Sequence, residues 1–496
     1  MRALGAADQI TKEKSVKAGH LPIVVDLDGT LTPTDTLIES VIDLVRRSPL
    51  NLLRLPLWLL KGRAGFKDSV AARAGVSAEH LPYREPLLAW LREEKGKGRR
   101  IVLATAAHRS IAQAVSRHLG LFDEVLATEA GRNLKGEAKL EAIRKKMGAE
   151  FVYAGDSGAD VVIWKAARAA VLVGVPPGVA VSIRREVAVE REFAREERGF
   201  DVWLRALRVH QWLKNLLLFV PLLTAFSFLD AGKLATTVVA FLAFSFAASA
   251  SYVLNDLWDL ENDRAHPRKR LRPFASARLP IVQGLAAAAT ALVIALAMAL
   301  AVSKGFLFML LLYLALTSAY SWVLKEHVLV DVLTLSLLYA LRILAGSVAI
   351  GVPASSWLLA FSVFVFLSLA LVKRCAELVS LDQNGEGSAR GRDYRVTDLV
   401  VLWPLGVGAA LSAVVVFGLF ISADETQARY ATPQLLWLVA IGLIYWLGRL
   451  WIKTSRGVMD DDPLVYALKD PRGLVAVFAM IVTVLVAHFI SFGSAT

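Results

Sequence analysis

Nine long apolar segments dominate the chain from residue 212 onward. They cover roughly residues 212–229, 234–254, 279–302, 305–323, 328–350, 355–372, 399–421, 433–451 and 473–492. About 20 apolar residues in a helix are enough to cross the hydrocarbon core of a bilayer. The pattern therefore predicts an all-α transmembrane bundle of nine helices over this part of the chain.

The loops between these segments differ in charge. Seventeen Lys and Arg lie in loops 255–278, 324–327, 373–398 and 449–472, whereas the loops of the opposite face carry only three. Basic residues concentrate on the cytoplasmic side of membrane proteins. We therefore expect a multi-pass protein of the bacterial inner (cytoplasmic) membrane, with its N-terminal domain and active sites inside and its C-terminus outside. Because these loops explain much of the net charge of +12, no nucleic-acid partner is expected.

The first 190 residues have the pattern of a soluble α/β domain. "IVVDLDGTLT", "RIVLATAAHRS" and "EFVYAGDSGAD" each begin with an apolar run typical of a buried parallel strand. Open α/β sheets place their sites at the carboxyl ends of the strands. The polar groups at the three predicted strand ends are therefore expected to meet; they are Asp26, Asp28, Thr105, Asp156 and Asp160.

The order of these motifs, with "NLKGEAK" before the last, resembles the haloacid-dehalogenase (HAD) phosphatase superfamily over about residues 20–185. The resemblance implies a Rossmann-like domain in which Asp26 is the nucleophile and forms an aspartyl-phosphate. Asp28 would be the general acid and base. Thr105 would bind the phosphoryl oxygens, and a lysine would neutralise them. The "KGE" context favours Lys135 for that lysine over Lys139.

The same resemblance implies one Mg²⁺ in this site, because Mg²⁺ prefers oxygen ligands. The ligands would be Asp26, the Asp28 carbonyl and Asp156, with Asp160 supporting them. Residues 36–90 are expected to form a mainly helical cap. Within the cap, "LNLLRLPLWLLKGR" is apolar but too short to span a membrane. Two alternatives stay open for it: a core of the cap, or a surface that rests on the membrane or on the second domain.

The stretch "NDLWDLENDRAHPRKRLRP" follows the second apolar segment. Asp256, Asp259 and Asp263 would share one stripe if the preceding helix continued, with Asn255 beside them. Carboxylates this close need a positive partner, and one or two Mg²⁺ carrying a diphosphate would supply it. The bases that follow suit phosphate oxygens; they are Arg264, Arg268, Lys269, Arg270 and Arg272.

This aspartate pattern with its downstream "RLRP" resembles the UbiA-type intramembrane prenyltransferases over about residues 200–496. The resemblance implies a nine-helix bundle with a cytoplasmic site. Most members carry a second aspartate-rich motif, where this chain has "YSWVLKEHVLVD" with Tyr320, Lys325 and only Asp331 as the acid. "HPRKRLRPFAS", "YSWVLK", "LALVKRCAEL" and "DDDPLVYALKD" resemble the branch typified by decaprenyl-phosphate phosphoribosyltransferase. That branch transfers 5-phosphoribose from phosphoribosyl diphosphate to a polyprenyl phosphate.

The resemblance to that branch also implies roles for individual residues. Asp256 and Asp259, with Asp263, would hold the Mg²⁺–diphosphate leaving group. Lys325 and Tyr320, with bases from the segment Arg268 to Arg272, would hold the donor or the lipid phosphate. Other candidates for phosphate contacts, for which membrane anchoring is the alternative, are Lys214, Lys373 and Arg374. The role of Asp460 to Asp462 stays unassigned.

The expected organisation is an N-terminal tail (1–19), a HAD-like domain (20–190), a linker with an interfacial helix (191–211) and a transferase domain (212–496). The expected function has two steps: phosphoribosyl transfer to a polyprenyl phosphate, then removal of the 5′-phosphate to give polyprenyl-phosphoryl ribose for cell-envelope glycans. The alternative is a prenyltransferase that joins a polyprenyl diphosphate to an aromatic or other small acceptor, with an independent phosphatase. A homo-oligomer stays open.

Overall fold

The computed structural model describes residues 21–60, 62–75, 77–129, 133–194, 199–385, 387, 392–459, 463, 466 and 470–491. The chain forms two compact units. The first comprises Met1–Leu207 together with Tyr252–Ala288, and the second comprises Arg208–Ser251 and Ala289–Thr496. The aspartate-rich segment 255–273 therefore groups with the N-terminal part of the chain.

The first unit is built on a six-stranded parallel sheet with the order β3-β2-β1-β4-β5-β6. The strands are β1 (Ile23–Val25), β2 (Ile101–His108), β3 (Glu124–Thr128), β4 (Val152–Gly155), β5 (Ala169–Val173) and β6 (Val189–Phe193). β1 lies between β2 and β4, with Ile23 paired to both Ile101 and Val152. The chain therefore changes direction across the sheet at β1, which is where open α/β sheets form their sites.

Helices cover both faces of this sheet, as the continuous apolar strands require. The α-helices are Thr36–Arg47, Leu55–Leu59, Gly62–Ala71, Glu85–Gly96, Arg109–Leu119, Glu137–Met147, Val161–Ala166, Pro177–Glu186 and Phe200–Ala206. Short 3-10 helices are Pro49–Arg54, Ala78–His80 and Gly158–Asp160. Ile23 and Val25 pack in the core of one face, and Val24 packs in the core of the other. The expected α/β domain with a helical cap is confirmed.

The leucine-rich stretch of the cap is mostly on the surface. It forms the 3-10 helix Pro49–Arg54 and the helix Leu55–Leu59, and Trp58 packs with Leu44 and Val70 in a small cap core. Six leucines are 58–84% exposed: Leu50, Leu52, Leu53, Leu57, Leu59 and Leu60. The cap-core interpretation thus accounts for Trp58 but not for these leucines. A contiguous apolar surface is typical of a lipid or protein contact.

Ion pairs inside the first unit join the cap to the segment 260–264. The Arg264 guanidinium donates to both carboxylate oxygens of Glu39 at 2.6 and 2.7 Å, and each side chain is only 7% exposed. The Thr34 hydroxyl donates to the same carboxylate at 2.6 Å. Arg46 pairs with Glu261 at 2.8 Å. These contacts explain why the segment groups with the N-terminal part of the chain.

Eight helices among the described residues are long and apolar enough to cross a membrane. They lie within Ala231–Trp258, Ile281–Val302, Lys304–Trp322, Val330–Ile350, Ser356–Gln383, Val396–Ser422, Pro433–Ser455 and Pro471–Phe489. Shorter α-helices are Val220–Thr224, Leu260–Ala265 and Asp424–Arg429, and short 3-10 helices are Lys269–Leu271, Leu324–Glu326, Val396–Asp398 and Pro433–Leu435. The predicted helical membrane region is confirmed, with one difference in its first segment.

That first apolar segment does not form a membrane-length helix. The 3-10 helix Val209–Phe219 passes into the short α-helix Val220–Thr224, with Pro221 in its first turn. Proline has no N–H to donate, so it is better placed at a helix start than in an interior. The segment also packs closely on its neighbours, because a Cβ at Gly346 would lie 2.3 Å from the Leu218 carbonyl oxygen. Apolar composition alone therefore predicted a membrane-length helix that this segment does not form.

We predict that Glu39→Ala destabilises the first unit by about 3 kcal/mol, because it leaves the buried Arg264 without its partner. Chemical unfolding of the full-length protein in detergent, followed by tryptophan fluorescence, measures the change. Glu192→Ala is a matched control, since it removes an exposed pair with Arg184. It should shift the transition little. Equal shifts for both variants would contradict the importance assigned to the buried pair.

Candidate functional site

Asp26 lies at the end of β1 in a network of buried polar groups. Its Oδ2 accepts a hydrogen bond from Lys139 Nζ at 2.8 Å, and its Oδ1 accepts from the Leu27 amide at 2.8 Å. Lys139 Nζ also donates to the Tyr153 hydroxyl oxygen at 3.0 Å. The Tyr153 hydroxyl in turn donates to Asp160 Oδ1 at 2.8 Å. One ammonium and one phenol therefore hold the two carboxylates in place.

Asp26, Asp156 and Asp160 each offer a carboxylate oxygen within 4.8 Å of the others. The Thr30 hydroxyl donates to Asp156 at 3.4 Å. Gly29 makes this approach possible: its φ is +78°, and a Cβ there would lie 2.2 Å from Asp156 Oδ2. Only glycine adopts this backbone conformation readily and leaves room for the carboxylate. Three oxygen donors at this spacing fit Mg²⁺.

The acidity of these carboxyls reflects their crowding. Burial, together with the charges of Asp160 and Asp26, raises the pKa of Asp156 to about 7. Burial also raises the pKa of Asp26, although the Lys139 ammonium opposes that effect. Burial is the largest influence on Lys139 and lowers its pKa, but the carboxylates of Asp26 and Asp160 outweigh it and raise the pKa overall. The cluster is therefore one that a further cation would stabilise.

Asp28 lies two residues after Asp26 and lines the same cavity. Its carboxylate accepts a hydrogen bond from the Thr36 amide at 2.9 Å. Burial, with a further contribution from the charge of Asp35, raises the pKa of Asp28 to about 7. A carboxyl with such a pKa exchanges protons near neutral pH, which is what a general acid and base must do.

The structure places Lys139, and not the favoured Lys135, on Asp26. Gly136 has φ +57°, and the helix Glu137–Met147 begins directly after it, so Lys139 falls in the first helical turn. Lys135 precedes the helix and lines the cavity, but its side chain makes no hydrogen bond among the described residues. The motif "KGE" could not reveal this, because the choice depends on where the helix starts.

Thr105 also differs from its expected placement. Its side chain is fully buried, and its hydroxyl oxygen accepts a hydrogen bond from the Ala107 amide at 2.9 Å. The cavity wall at this strand end consists of Ala106, Ala107 and His108. The Thr105 hydroxyl is therefore engaged with the backbone inside β2, and its expected contact with phosphoryl oxygens stays a prediction.

Two residues of this site were missed by the sequence reasoning. Tyr153 links Lys139 to Asp160, but in the sequence it is part of an apolar run. Lys67 lines the cavity from the cap and donates to the Ala106 carbonyl at 2.7 Å and to Asn133 Oδ1 at 2.9 Å. Burial lowers the pKa of Lys67. A single lysine in a cap helix carries no motif, so nothing in the sequence pointed to it.

The aspartate-rich segment is not one continuous helix. The helix Ala231–Trp258 stops before Asp259, and a new helix, Leu260–Ala265, follows. Asp256 and Asp263 are buried, and both accept a hydrogen bond from Arg272 Nη1, at 3.2 and 2.6 Å. Burial raises the pKa of Asp263, and the positive charge of Arg272 opposes this. Arg272 therefore lies between two carboxylates in this structure, and its contact with a phosphate stays a prediction.

The remaining residues of this segment have separate positions. Arg268, Lys269 and Arg270 are exposed around the 3-10 helix Lys269–Leu271. Asp259 is half-buried at the junction of the two helices, and Asn255 lies in the last turn of the preceding one. The three exposed bases keep the accessibility that a phosphate contact requires.

The second unit contains a buried charge cluster around Asp331. Its carboxylate accepts hydrogen bonds from Arg374 Nη2 and from the Tyr394 hydroxyl, both at 2.5 Å. Arg374 also pairs with Glu377, which in turn accepts from Arg392 at 2.9 and 3.1 Å. Arg374 is only 1% exposed on its side chain, so the alternative of a surface anchor is wrong for it. Its Nε has no partner among the described residues.

Four further candidates lie in the second unit. Tyr320 is half-buried near the end of Lys304–Trp322, and Lys325 is half-buried in the following 3-10 helix. The Lys325 side chain makes no ion pair with any residue in the described part of the chain. Lys373 precedes Arg374 in its helix, and Lys214 lies in the 3-10 helix Val209–Phe219. Asp460 to Asp462 lie outside the described residues.

Comparison with known families assigns the two parts of the chain to two protein families. Residues 217–469 match the UbiA prenyltransferase family. The chain belongs to the UbiA prenyltransferase family. Residues 23–163 match the haloacid dehalogenase-like hydrolases, so this UbiA-family protein carries an N-terminal HAD domain. Both resemblances drawn from the sequence are confirmed, and the apolar helices of the UbiA region indicate a membrane protein.

Three relatives of this UbiA-family chain differ in how much of it they match. The uncharacterized protein y4nM of Sinorhizobium fredii is 40% identical over 91% of this chain and 88% of that protein. Nodulation protein NoeC of Azorhizobium caulinodans is 34% identical over 57% of this chain and 91% of NoeC. Decaprenyl-phosphate phosphoribosyltransferase of Corynebacterium glutamicum is 31% identical over 58% of this chain and 87% of that enzyme. Of these three relatives, only the protein y4nM matches both the HAD domain and the UbiA region.

We predict that Lys139→Ala lowers kcat for hydrolysis of a small phosphate ester by about 100-fold or more, since one preorganised cationic donor is typically worth that much. Assays use the purified full-length protein with Mg²⁺. Lys135→Ala is the matched control, because it removes the same charge four residues away and should cost less than about tenfold. A larger loss for Lys135→Ala would show that the contact between Lys139 and Asp26 is not the functional one.

Proposed function

We propose that this protein is a bifunctional enzyme of the bacterial inner membrane. Its UbiA-type region transfers 5-phosphoribose from phosphoribosyl diphosphate to a polyprenyl phosphate, and its HAD domain removes the 5′-phosphate from the product. The final product is a polyprenyl-phosphoryl ribose for cell-envelope glycan synthesis. The proposal places both active sites on the cytoplasmic side of the membrane. The observation that carries it is the joining, in one chain, of a site equipped for phosphate esters to a region similar to a phosphoribosyltransferase.

The phosphatase step follows from the network around Asp26. A carboxylate oxygen of Asp26 attacks the phosphorus of the ester, the bond from phosphorus to the sugar oxygen breaks, and an aspartyl-phosphate forms. Asp28 gives its proton to the departing sugar oxygen and then takes a proton from the water that hydrolyses the aspartyl-phosphate. Lys139 orients Asp26 and offsets negative charge on the phosphoryl oxygens. Inorganic phosphate leaves, and both aspartates return to their starting states.

The carboxylates of Asp26, Asp156 and Asp160 fit Mg²⁺. Asp26, Asp156 and the Asp28 carbonyl would hold the ion, and Asp160 would support them. When bound, it offsets the repulsion between the carboxylates and the phosphate. In the UbiA region, Asp256, Asp259 and Asp263 would hold one or two Mg²⁺ with the diphosphate. That arrangement requires Arg272 to give up its present contacts with Asp256 and Asp263.

The transfer step needs anion recognition more than acid–base chemistry. An oxygen of the lipid phosphate attacks the anomeric carbon of the ribose, the bond from that carbon to the diphosphate oxygen breaks, and diphosphate departs. The lipid phosphate is already ionised near neutral pH, so it requires no general base. Arg268, Lys269 and Arg270 are exposed bases suited to bind phosphate oxygens. Lys325, which has no carboxylate partner among the described residues, and Tyr320 are further contacts for the donor or the lipid phosphate.

The cluster in the second unit favours this donor over a polyprenyl diphosphate. Asp331, the acid in the segment where most family members carry a second aspartate-rich motif, is fully buried and bound to Arg374 and Tyr394. Its charge is therefore already matched inside the protein, and it has little capacity for a second metal–diphosphate. The alternative, a prenyltransferase that uses an aromatic or small acceptor, rests on the general activity of the family and remains the competing outcome of the experiments below.

Membranes containing the protein, given labelled phosphoribosyl diphosphate, a polyprenyl phosphate and Mg²⁺, should produce a labelled lipid. Asp26→Asn should make the 5′-phosphorylated lipid accumulate, because the nucleophile of the second step is lost. Mass spectrometry of the extracted lipid distinguishes the two products by one phosphate. The prenyltransferase alternative predicts a different result. No label would pass from phosphoribosyl diphosphate to lipid, and a polyprenyl diphosphate would instead prenylate a small acceptor.

Asp256→Asn should separate the two activities. It removes a carboxylate proposed to hold the diphosphate, so we expect transfer to lipid to fall by about 100-fold or more, in the range of a lost electrostatic group at a reacting centre. The same preparation should still hydrolyse a small phosphate ester, which shows that the first unit is folded. Full transfer activity in Asp256→Asn would remove the aspartate-rich segment from the proposed site.

A further inference from the structure

The wall of the phosphatase cavity contains residues from outside the HAD match. The cavity has a volume of about 400 Å³ and holds Asp26, Asp28, Lys139 and Asp156 among its lining residues. Six residues of the segment 274–282 also line it, although the HAD match ends at residue 163. Both parts belong to the first compact unit. This cavity is therefore completed by a segment that follows the aspartate-rich stretch.

The contributed wall is apolar. The lining residues from this segment are Phe274, Ala277, Leu279, Pro280, Ile281 and Val282. The cap adds Leu37 and Ile38 from the first turn of its helix Thr36–Arg47. A small sugar phosphate would bind poorly against this surface, because its hydroxyl groups would lose hydrogen bonds there.

A second, smaller cavity gives the site a polar side. It has a volume of about 160 Å³ and shares Gly29 and Asp156 with the larger one. Arg84 and Arg278 line it. The site is thus basic on one side and apolar on the other, a division that matches an amphiphilic phosphate ester.

The apolar wall leads directly into a membrane-length helix. Ile281 and Val282 are the first two residues of Ile281–Val302, which is long and apolar enough to cross a bilayer. Val282 is exposed, and Leu285, one turn later, is exposed as well but does not line the cavity. An apolar chain that leaves the cavity along Val282 therefore meets a surface already suited to lipid.

We infer that the HAD site takes sugar phosphates whose sugar also carries a long apolar chain, with the phosphate at Asp26 and the chain along the wall from Leu279 to Val282. This inference rests on the proposed phosphatase function and deepens it by assigning the segment that selects the apolar chain of the substrate. The segment 274–282 is a specificity element of the phosphatase. The buried contacts between Arg264 and Glu39 hold the preceding segment against the cap, which keeps the wall in place.

The test compares two esters with the full-length protein in detergent micelles. An octyl riboside 5-phosphate carries an apolar chain on the anomeric carbon, and ribose 5-phosphate does not. The measured quantity is the ratio of kcat/KM for the octyl riboside 5-phosphate to that for ribose 5-phosphate. We expect a ratio above about ten in the unsubstituted protein, since an apolar pocket commonly discriminates by about 10–200-fold.

Val282→Asn should lower this ratio by about tenfold, and Val282→Leu should keep it, because leucine preserves the apolar surface. Leu285→Asn is the matched control on the same helix and should keep the original ratio, so that a general effect on micelle binding is separated from the wall. Ile38→Asn, in the part of the cavity lined by the cap, should lower the ratio as well, and it serves as the second test variant where Val282→Asn does not fold.

The outcomes separate the two levels of the proposal. Equal kcat/KM values for the two esters, or equal effects of Val282→Asn and Leu285→Asn, would overturn the inference while leaving the phosphatase intact. Hydrolysis of neither ester, in a preparation that transfers label to lipid, would overturn the proposed phosphatase itself. A high ratio that only the wall variants reduce supports the inference.

Discussion

Buried carboxylates, each matched by a buried or half-buried base, are the constraint on which the rest of this structure depends. Lys139 meets Asp26, Arg272 meets Asp256 and Asp263, and Arg374 meets Asp331. An unpaired carboxylate in a protein interior is costly, so each cluster requires its cation to fold. The three clusters differ in whether they can still bind a further cation. Lys139 lies beside three gathered carboxylates that still favour a metal, whereas Arg374 fully occupies Asp331. This difference separates a site prepared for chemistry from one that mainly stabilises its surroundings.

The segment from Tyr252 to Ala288 serves both halves of the protein. Its first part carries the aspartates that resemble the transferase motif, and its last part lines the phosphatase cavity. Between them, Arg264 anchors the segment on Glu39 of the cap. A change in the position of this segment would therefore move the aspartates and the cavity wall together, so a contiguous run of fewer than forty residues would connect the two proposed chemistries.

The sequence predicted best those features that follow from the chain's regular periodicity. The apolar runs that end in Asp26 and Asp156 predicted neighbouring parallel strands, and the meeting of their carboxylates followed from sheet geometry. Prediction from the sequence was wrong where the result depends on the exact start or end of a helix. Lys139 instead of Lys135 is set by the turn at Gly136, and the split of the aspartate stripe is set by the helix end at Trp258. The pairing of Tyr394 with Asp331, 63 positions away, leaves no local pattern, so it could not be found without the fold.

An apolar wall in the phosphatase cavity also gives a physical reason for joining the two domains in one chain. The proposed intermediate carries a polyprenyl chain, which keeps it in the membrane, so a separate soluble phosphatase would have to find it at the bilayer surface. A phosphatase attached to the membrane helices is confined to the same surface, which raises its effective concentration near the intermediate. The wall adds selectivity to this proximity. Soluble sugar phosphates lack a chain to place along Leu279 to Val282, so they gain none of the binding energy that burying apolar surface supplies. Proximity and selectivity together would direct the HAD site to the lipid product and away from the cell's pool of small phosphate esters.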